Sequence, residues 1–177
     1  IAGCINTGTP LAGKKINKQG RSLFCLTEGF SGFGYRLRGW EQYHDDTPLL
    51  ANFWRFPVDL SANQKVDELI ERIRDAEIPD LRLIFMDTWI KSIGAIQTNS
   101  DIETIACIKN MERIAAAFNC FVFAIDHPGK DTDRGLRGSS VKNQGVDVVI
   151  KVKAKDRDVS LFTEKLKEGD TSVLNLS

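Results

Sequence analysis

The stretch Leu83-Ile84-Phe85-Met86-Asp87 (LIFMD) decides the class of fold. A strand with four apolar residues in a row is apolar on both faces. That suits the inside of a parallel sheet covered by helices, not a sheet with one wet face. The run stops at a carboxylate. The first polar residue past a buried strand stands at its carboxyl end, where open α/β sheets collect their ligands. Two other runs repeat the pattern: Ser22–Thr27 (SLFCLT) stops before Glu28, and Phe121–Ile125 (FVFAI) stops before Asp126 and His127.

Working outward, Asn52–Phe56 (NFWRF) alternates and reads as a short strand, and Val146–Val152, Val159–Phe162 and Val173–Leu176 read as three more. Ser61 and Gln64 have capping-box spacing ahead of a helix reaching about Ala76, with Val66, Leu69, Ile70 and Ile73 as its apolar stripe. Ser100 and Glu103 repeat the spacing ahead of a helix reaching about Asn119, where Ile105, Ile108, Ala115 and Phe118 share a face. A third helix covers about Tyr35–Tyr43. Alternating strands and helices predict an α/β domain: a mainly parallel sheet flanked by helices, joined by right-handed crossovers. The closely spaced last strands predict antiparallel pairing at the C-terminal edge. The 177 residues suit a single domain, 1–177.

Composition excludes little. Hydrophobic residues make up 42% and charged residues 27%, as in a soluble globular chain, and 24 basic residues cancel 24 acidic ones. Between Gly129 and Arg157, however, eight basic residues face four acidic ones, an excess that suits either a polyanion or a solvated surface. The four cysteines, Cys4, Cys25, Cys107 and Cys120, lack metal-ligand or redox spacing, and the last three sit among apolar residues as small hydrophobes. No apolar run approaches membrane-spanning length and no signal peptide is visible, so the expected location is the cytoplasm. The opening segment Ile1–Gly13 reads as the tail of a helix that begins upstream.

Three side chains at strand ends could carry chemistry. Asp87 has the placement of a Walker B carboxylate, which holds Mg²⁺ beside nucleotide phosphates; a carboxylate there can equally cap a turn. Glu28, at a neighbouring strand end, could orient or deprotonate a water. Gly29, Gly32 and Gly34 follow it, but they lack the Lys-Ser/Thr pair of a phosphate loop and read as a turn into the next helix. His127 could hydrogen-bond a γ-phosphate, or simply satisfy turn carbonyls. The segment Gly129–Ser140 (GKDTDRGLRGSS) is polar, basic and glycine-rich. It could offer Lys130, Arg134, Arg137, Ser139 and Ser140 to phosphates, or be an ordinary surface loop. Lys165 and Lys167 alternate in EKLKEGD and could face a neighbouring subunit or protect an exposed strand edge.

Taken in order, TEGFSGFGYR, LIFMDT, NSDIE, DHPGKDTDRGLRGSS and EKLKEGD resemble the RecA-like P-loop ATPases related to the RepA-type hexameric replicative helicases of plasmids and phages. The resemblance spans essentially the whole chain. It implies a RecA-like P-loop NTPase fold of AAA-type ATPases, with ATP and Mg²⁺ as cofactors, single-stranded DNA as partner and a homo-oligomer, a hexameric ring in the intact parent. It implies Glu28 as the water-activating glutamate, Asp87 as the Mg²⁺ aspartate and His127 as a γ-phosphate sensor. Arg134 to Ser140 match a DNA-facing loop, and Lys165 and Lys167 match basic residues that reach the neighbour's nucleotide.

The sequence departs from the family in four places. Asp126 stands where a first histidine is usual, and Gln97-Thr98-Asn99 where Asp-Glu-Asn is usual. Lys167 lacks the guanidinium fork of an arginine. No GxxxxGK[ST] occurs. In this family it belongs just upstream of Ile1, next to a strand that lies inside the sheet. The function expected is an ATPase motor coupling hydrolysis to single-stranded DNA binding or translocation. The alternatives are a non-catalytic RecA-fold remnant that binds DNA or a partner, and a RecA-type recombination or repair ATPase.

Overall fold

The computed structural model describes residues 1–45, 47–56, 58–96, 100–127, 141–156, 158–169, 171 and 173–176. The elements run α1 (Ala2–Thr7), β1 (Arg21–Leu26), α2 (Phe30–Tyr43), β2 (Ala51–Trp54), α3 (Asn63–Asp75), β3 (Leu81–Asp87), α4 (Trp89–Ser92), α5 (Asp101–Phe118), β4 (Phe121–Ile125), α6 (Val141–Gly145), β5 (Val148–Lys155), β6 (Asp158–Leu166) and β7 (Val173–Leu176). The first four strands form a parallel sheet in the order β2-β1-β3-β4. The last three form an antiparallel sheet in the order β5-β6-β7. The expected α/β architecture is therefore present, parallel strands first and antiparallel strands at the C-terminal end.

The two inner parallel strands, β1 and β3, are largely buried on both sides because their two faces meet different partners, whereas β2 and β4 at the sheet edges are only part-buried and Phe121 is exposed. Leu23 and Cys25 of β1 and Ile84 and Met86 of β3 point to one side, into a core closed by Val66, Leu69, Ile70 and Ile73 of α3 and Cys107, Ile108, Met111 and Ile114 of α5. On the other side, the pairing register aligns four phenylalanines in one row, Phe53, Phe24, Phe85 and Phe123, one from each strand. Neighbouring rings along that row lie 5.3, 4.6 and 5.4 Å apart between centroids, all near-parallel. Phe33 of α2 tilts onto Phe24 and Phe53. Such contacts add about 0.5–1.5 kcal/mol per pair beyond the area they bury.

Helix signals were legible to different degrees. Ser100 caps α5 as expected, accepting from the Glu103 amide at 3.4 Å, and Asp101 and Glu103 supply negative charge to the first turn. The Ser61–Gln64 spacing was misleading. α3 starts at Asn63, and Ser61 instead donates its hydroxyl to Asp59 at 2.6 Å in a local turn. The α5 stripe is rotated from the expected one: Thr104, Cys107, Ile108, Met111 and Ile114 are buried, whereas Ile105 is 37% exposed. α2 begins at Phe30, five residues before the expected Tyr35, because Gly29 takes the left-handed backbone (φ 63°) that turns the chain into it. His44 stacks on Trp40 and is only half-exposed. Cys4, Cys25, Cys107 and Cys120 are all free thiols, and burial pushes Cys25 up to about 12. No helix among the described residues is long and apolar enough to cross a membrane.

Candidate functional site

Register builds the site. In the parallel sheet Leu26 of β1 pairs with Asp87 of β3, and Asp87 pairs with Ile125 of β4. Three strands thus end level. Asp87 stands on the rim itself, and Glu28 and His127 each stand two residues beyond the level of Leu26 and Ile125. The β1 and β3 ends are also tied together. Thr27 donates its amide and its hydroxyl to the Asp87 carbonyl at 2.7 and 2.6 Å, and its hydroxyl accepts from the Thr88 amide at 3.0 Å. The Asp87–Thr88 peptide is cis.

The charges on this rim form one cluster. Glu28 Oε2 lies 2.7 Å from Lys91 Nζ, and Glu28 Oε1 lies 3.8 Å from His127 Nε2. The Lys91 hydrogen bond is the main reason the Glu28 carboxyl is held below its ordinary range, with help from the Lys91 and His127 charges. Asp87 moves the other way. Partial burial raises it first, and the neighbouring Glu28 charge raises it further, while Arg36 and His127 oppose the shift. One carboxylate is thus kept ionised and half-exposed, and its neighbour is short of counter-charge.

That arrangement suits a divalent cation. Asp87 offers a hard oxygen ligand, and a cation beside it would relieve the repulsion from Glu28. Among the described residues no group of three metal-ligating side chains occurs.

Glu28, Asp87 and His127 therefore come together as the sequence suggested. Lys165 and Lys167 are placed on the antiparallel sheet side. Lys165 Nζ donates to the carbonyls of Asn143, Gln144 and Val146 at 2.9, 2.8 and 2.5 Å, bracing the end of α6. Lys167 pairs with Asp147 at 3.1 Å, with 71% of its side chain exposed. Lys130, Arg134, Arg137, Ser139 and Ser140 lie outside the described residues, as do Gln97, Thr98 and Asn99. Sequence reasoning missed Lys91, Arg36 and the Asp126–Lys142 ion pair, closed at 2.7 Å. The only available signal for Lys91 was its place four residues after Asp87, on the helix that the strand end leads into.

Comparisons with known proteins agree with this fold. No curated protein matches the sequence. A solved DnaB-like replicative helicase, whose structure was determined with attention to its interactions with primase, superposes with a TM-score of 0.65 at 12% identity. The match covers 99% of this chain and 50% of that one, so the chain spans about half the length of the helicase it resembles. Residues 1–133 match the AAA domain family. Three-quarters of the sequence, including Glu28, Asp87 and His127, fall within that match, and the chain belongs to the AAA domain family, built on a RecA-like α/β fold.

Proposed function

We propose that the chain is the ATPase motor domain of a replicative-helicase-like protein, coupling ATP hydrolysis to binding of, or movement along, single-stranded DNA. The observation that carries this reading is the convergence of Glu28, Asp87 and His127 on one rim, fixed by the level ends of β1, β3 and β4. Family membership and the fold shared with a helicase support it.

Each side chain has a task on this reading. Glu28 orients the attacking water and takes its proton. Its low basicity at rest requires that Lys91 swing away, or move toward the phosphates, as nucleotide enters. Asp87 holds Mg²⁺, which supplies charge neutralisation of the phosphates when bound. His127 hydrogen-bonds the γ-phosphate and, as the residue before Pro128, passes its position on to Gly129–Ser140. Lys130, Arg134, Arg137, Ser139 and Ser140 then contact the DNA backbone. Lys165 and Lys167 reach a neighbour's nucleotide in a hexameric ring. Lys167 is the more available of the two, because Lys165 has three carbonyl partners to leave. The cytoplasm suits such a motor.

The test is Glu28→Gln in the full-length parent. ATP turnover should vanish while ATP binding, read by equilibrium titration, stays within about twofold of wild type. Retained turnover would remove Glu28 from the mechanism.

A further inference from the structure

Lys142 is a lysine almost wholly withdrawn from water: 9% of its side chain is exposed, and its partner Asp126 retains 14%. Their Nζ–Oδ2 distance is 2.7 Å, and the ammonium also lies 5.4 Å from the centre of the Trp89 ring, itself buried in the core. A charge so placed requires a close partner, because removing one member of a buried pair strands the other in a poor solvent.

The pair has a special position in the chain. Asp126 immediately precedes His127, and Lys142 is the second residue of α6. The bond therefore joins the residue before His127 to the start of α6, sixteen residues further along the chain. α6 is held elsewhere too. Lys165 grips the carbonyls at its end, and a Cβ on Gly145 would meet Ile108 Cδ1 of α5 at 2.8 Å, so α6 packs close against that helix. Trp89 belongs to α4, which also carries Lys91. One ion pair thus connects the helix that bears the Glu28 partner, the backbone next to His127 and the braced helix α6.

We infer that Asp126 and Lys142 are a positioning pair: a buried clasp that fixes His127 against Glu28 by tying the end of β4 to α6. The inference deepens the ATPase reading and rests on it for its catalytic consequence. The clasp itself rests on geometry alone.

The test separates the two. ATP turnover by the wild-type full-length parent and by Glu28→Gln is measured first. If wild type turns over and Glu28→Gln does not, Asp126→Asn and Lys142→Met should each lower kcat about 10- to 100-fold, with KM for ATP within about twofold. Lys142→Arg, which keeps the charge, should retain most of the rate. Wild-type kcat in both single variants overturns the inference. So does a loss fully accounted for by the unfolded fraction in a thermal melt, or a change confined to KM. If wild type shows no turnover, the functional reading fails and the clasp is decided by amide hydrogen exchange in α6, Val141–Gly145. Several-fold faster exchange in both single variants, reversed in Lys142→Arg, supports it, and equal rates overturn it.

Discussion

The ammonium of Lys91 sits 2.7 Å from a carboxylate oxygen of Glu28, donated by the short helix that begins two residues after Asp87. The group proposed to accept a proton is therefore neutralised at rest by a cation from the neighbouring strand end. A lowered carboxyl stays ionised to lower pH than usual, so the acid limb of the rate profile should lie below the ordinary carboxylate range. In Lys91→Met the limb should move to higher pH, toward an unperturbed glutamate. The check is a pH profile of kcat/KM in the full-length parent, and an unmoved limb would mean that Lys91 does not govern Glu28. Both groups are well exposed, so no loss of thermal stability is expected.

Asp87 gives the opposite sign. Its folded-state carboxyl is raised, chiefly by burial and then by Glu28, so its ionisation opposes folding. The stability linked to this group is fully present below the ordinary aspartate range and is lost as pH rises through the raised value. Asp87→Asn should therefore raise the melting temperature of the nucleotide-free protein at neutral pH while abolishing Mg²⁺-dependent turnover. Glu28→Gln should shift the Asp87 titration downward, because it removes the second cause. A lower melting temperature for Asp87→Asn would show that the carboxylate is better paired than the rim geometry indicates.

The row of phenylalanines predicts a measurable coupling. Phe85 stacks on Phe24 at 4.6 Å with the rings only 9° from parallel. Phe24→Leu and Phe85→Leu, each keeping an apolar side chain, should show a coupling energy of about 0.5–1.5 kcal/mol in a double-mutant cycle of urea unfolding. A coupling near zero would mean that the row is only a by-product of register.

How much of this was legible in the sequence follows from range. The strands were readable because LIFMD, SLFCLT and FVFAI are apolar on both faces, a local property that the parallel sheet then demands. The rim followed from them, since a strand end is also local. What failed was phase and partnership. Ile105 lies next to the buried α5 face in periodicity, and only tertiary packing decides that Thr104 is buried instead. Ser61 had the right spacing for a cap, but Asp59, two residues earlier, competes for its hydroxyl. The Lys142–Asp126 pair joins positions sixteen residues apart, and nothing in either neighbourhood signals it.

Asn110 shows the same long-range logic and carries a stability prediction. It is buried on α5, donates to the Leu60 carbonyl at 2.9 Å and to Asn63 Oδ1 at 3.0 Å, and accepts from Arg113 at 2.8 Å. It thereby ties α5 to the start of α3. Asn110→Leu leaves the Leu60 carbonyl without this donor and should cost about 1–3 kcal/mol in urea unfolding. An unchanged midpoint would mean that water replaces the amide.

Lys165 and Lys167 separate a structural role from a role between subunits. Lys165 supplies one ammonium to three carbonyls at the end of α6, and charged hydrogen bonds contribute about 1.5–3 kcal/mol each at most. Lys165→Met should therefore lower the melting temperature of the isolated chain. Lys167→Met should leave it unchanged, because its exposed pair with Asp147 contributes little to folding. In the assembled parent the order should reverse for turnover. If Lys167 reaches a neighbour's nucleotide, Lys167→Met lowers kcat without lowering stability, and subunits carrying that variant lower the rate of wild-type subunits mixed with them. A melting temperature and kcat that fall together in Lys165→Met, with Lys167→Met indistinguishable from wild type in both, would confine these lysines to the fold and take the trans role from them.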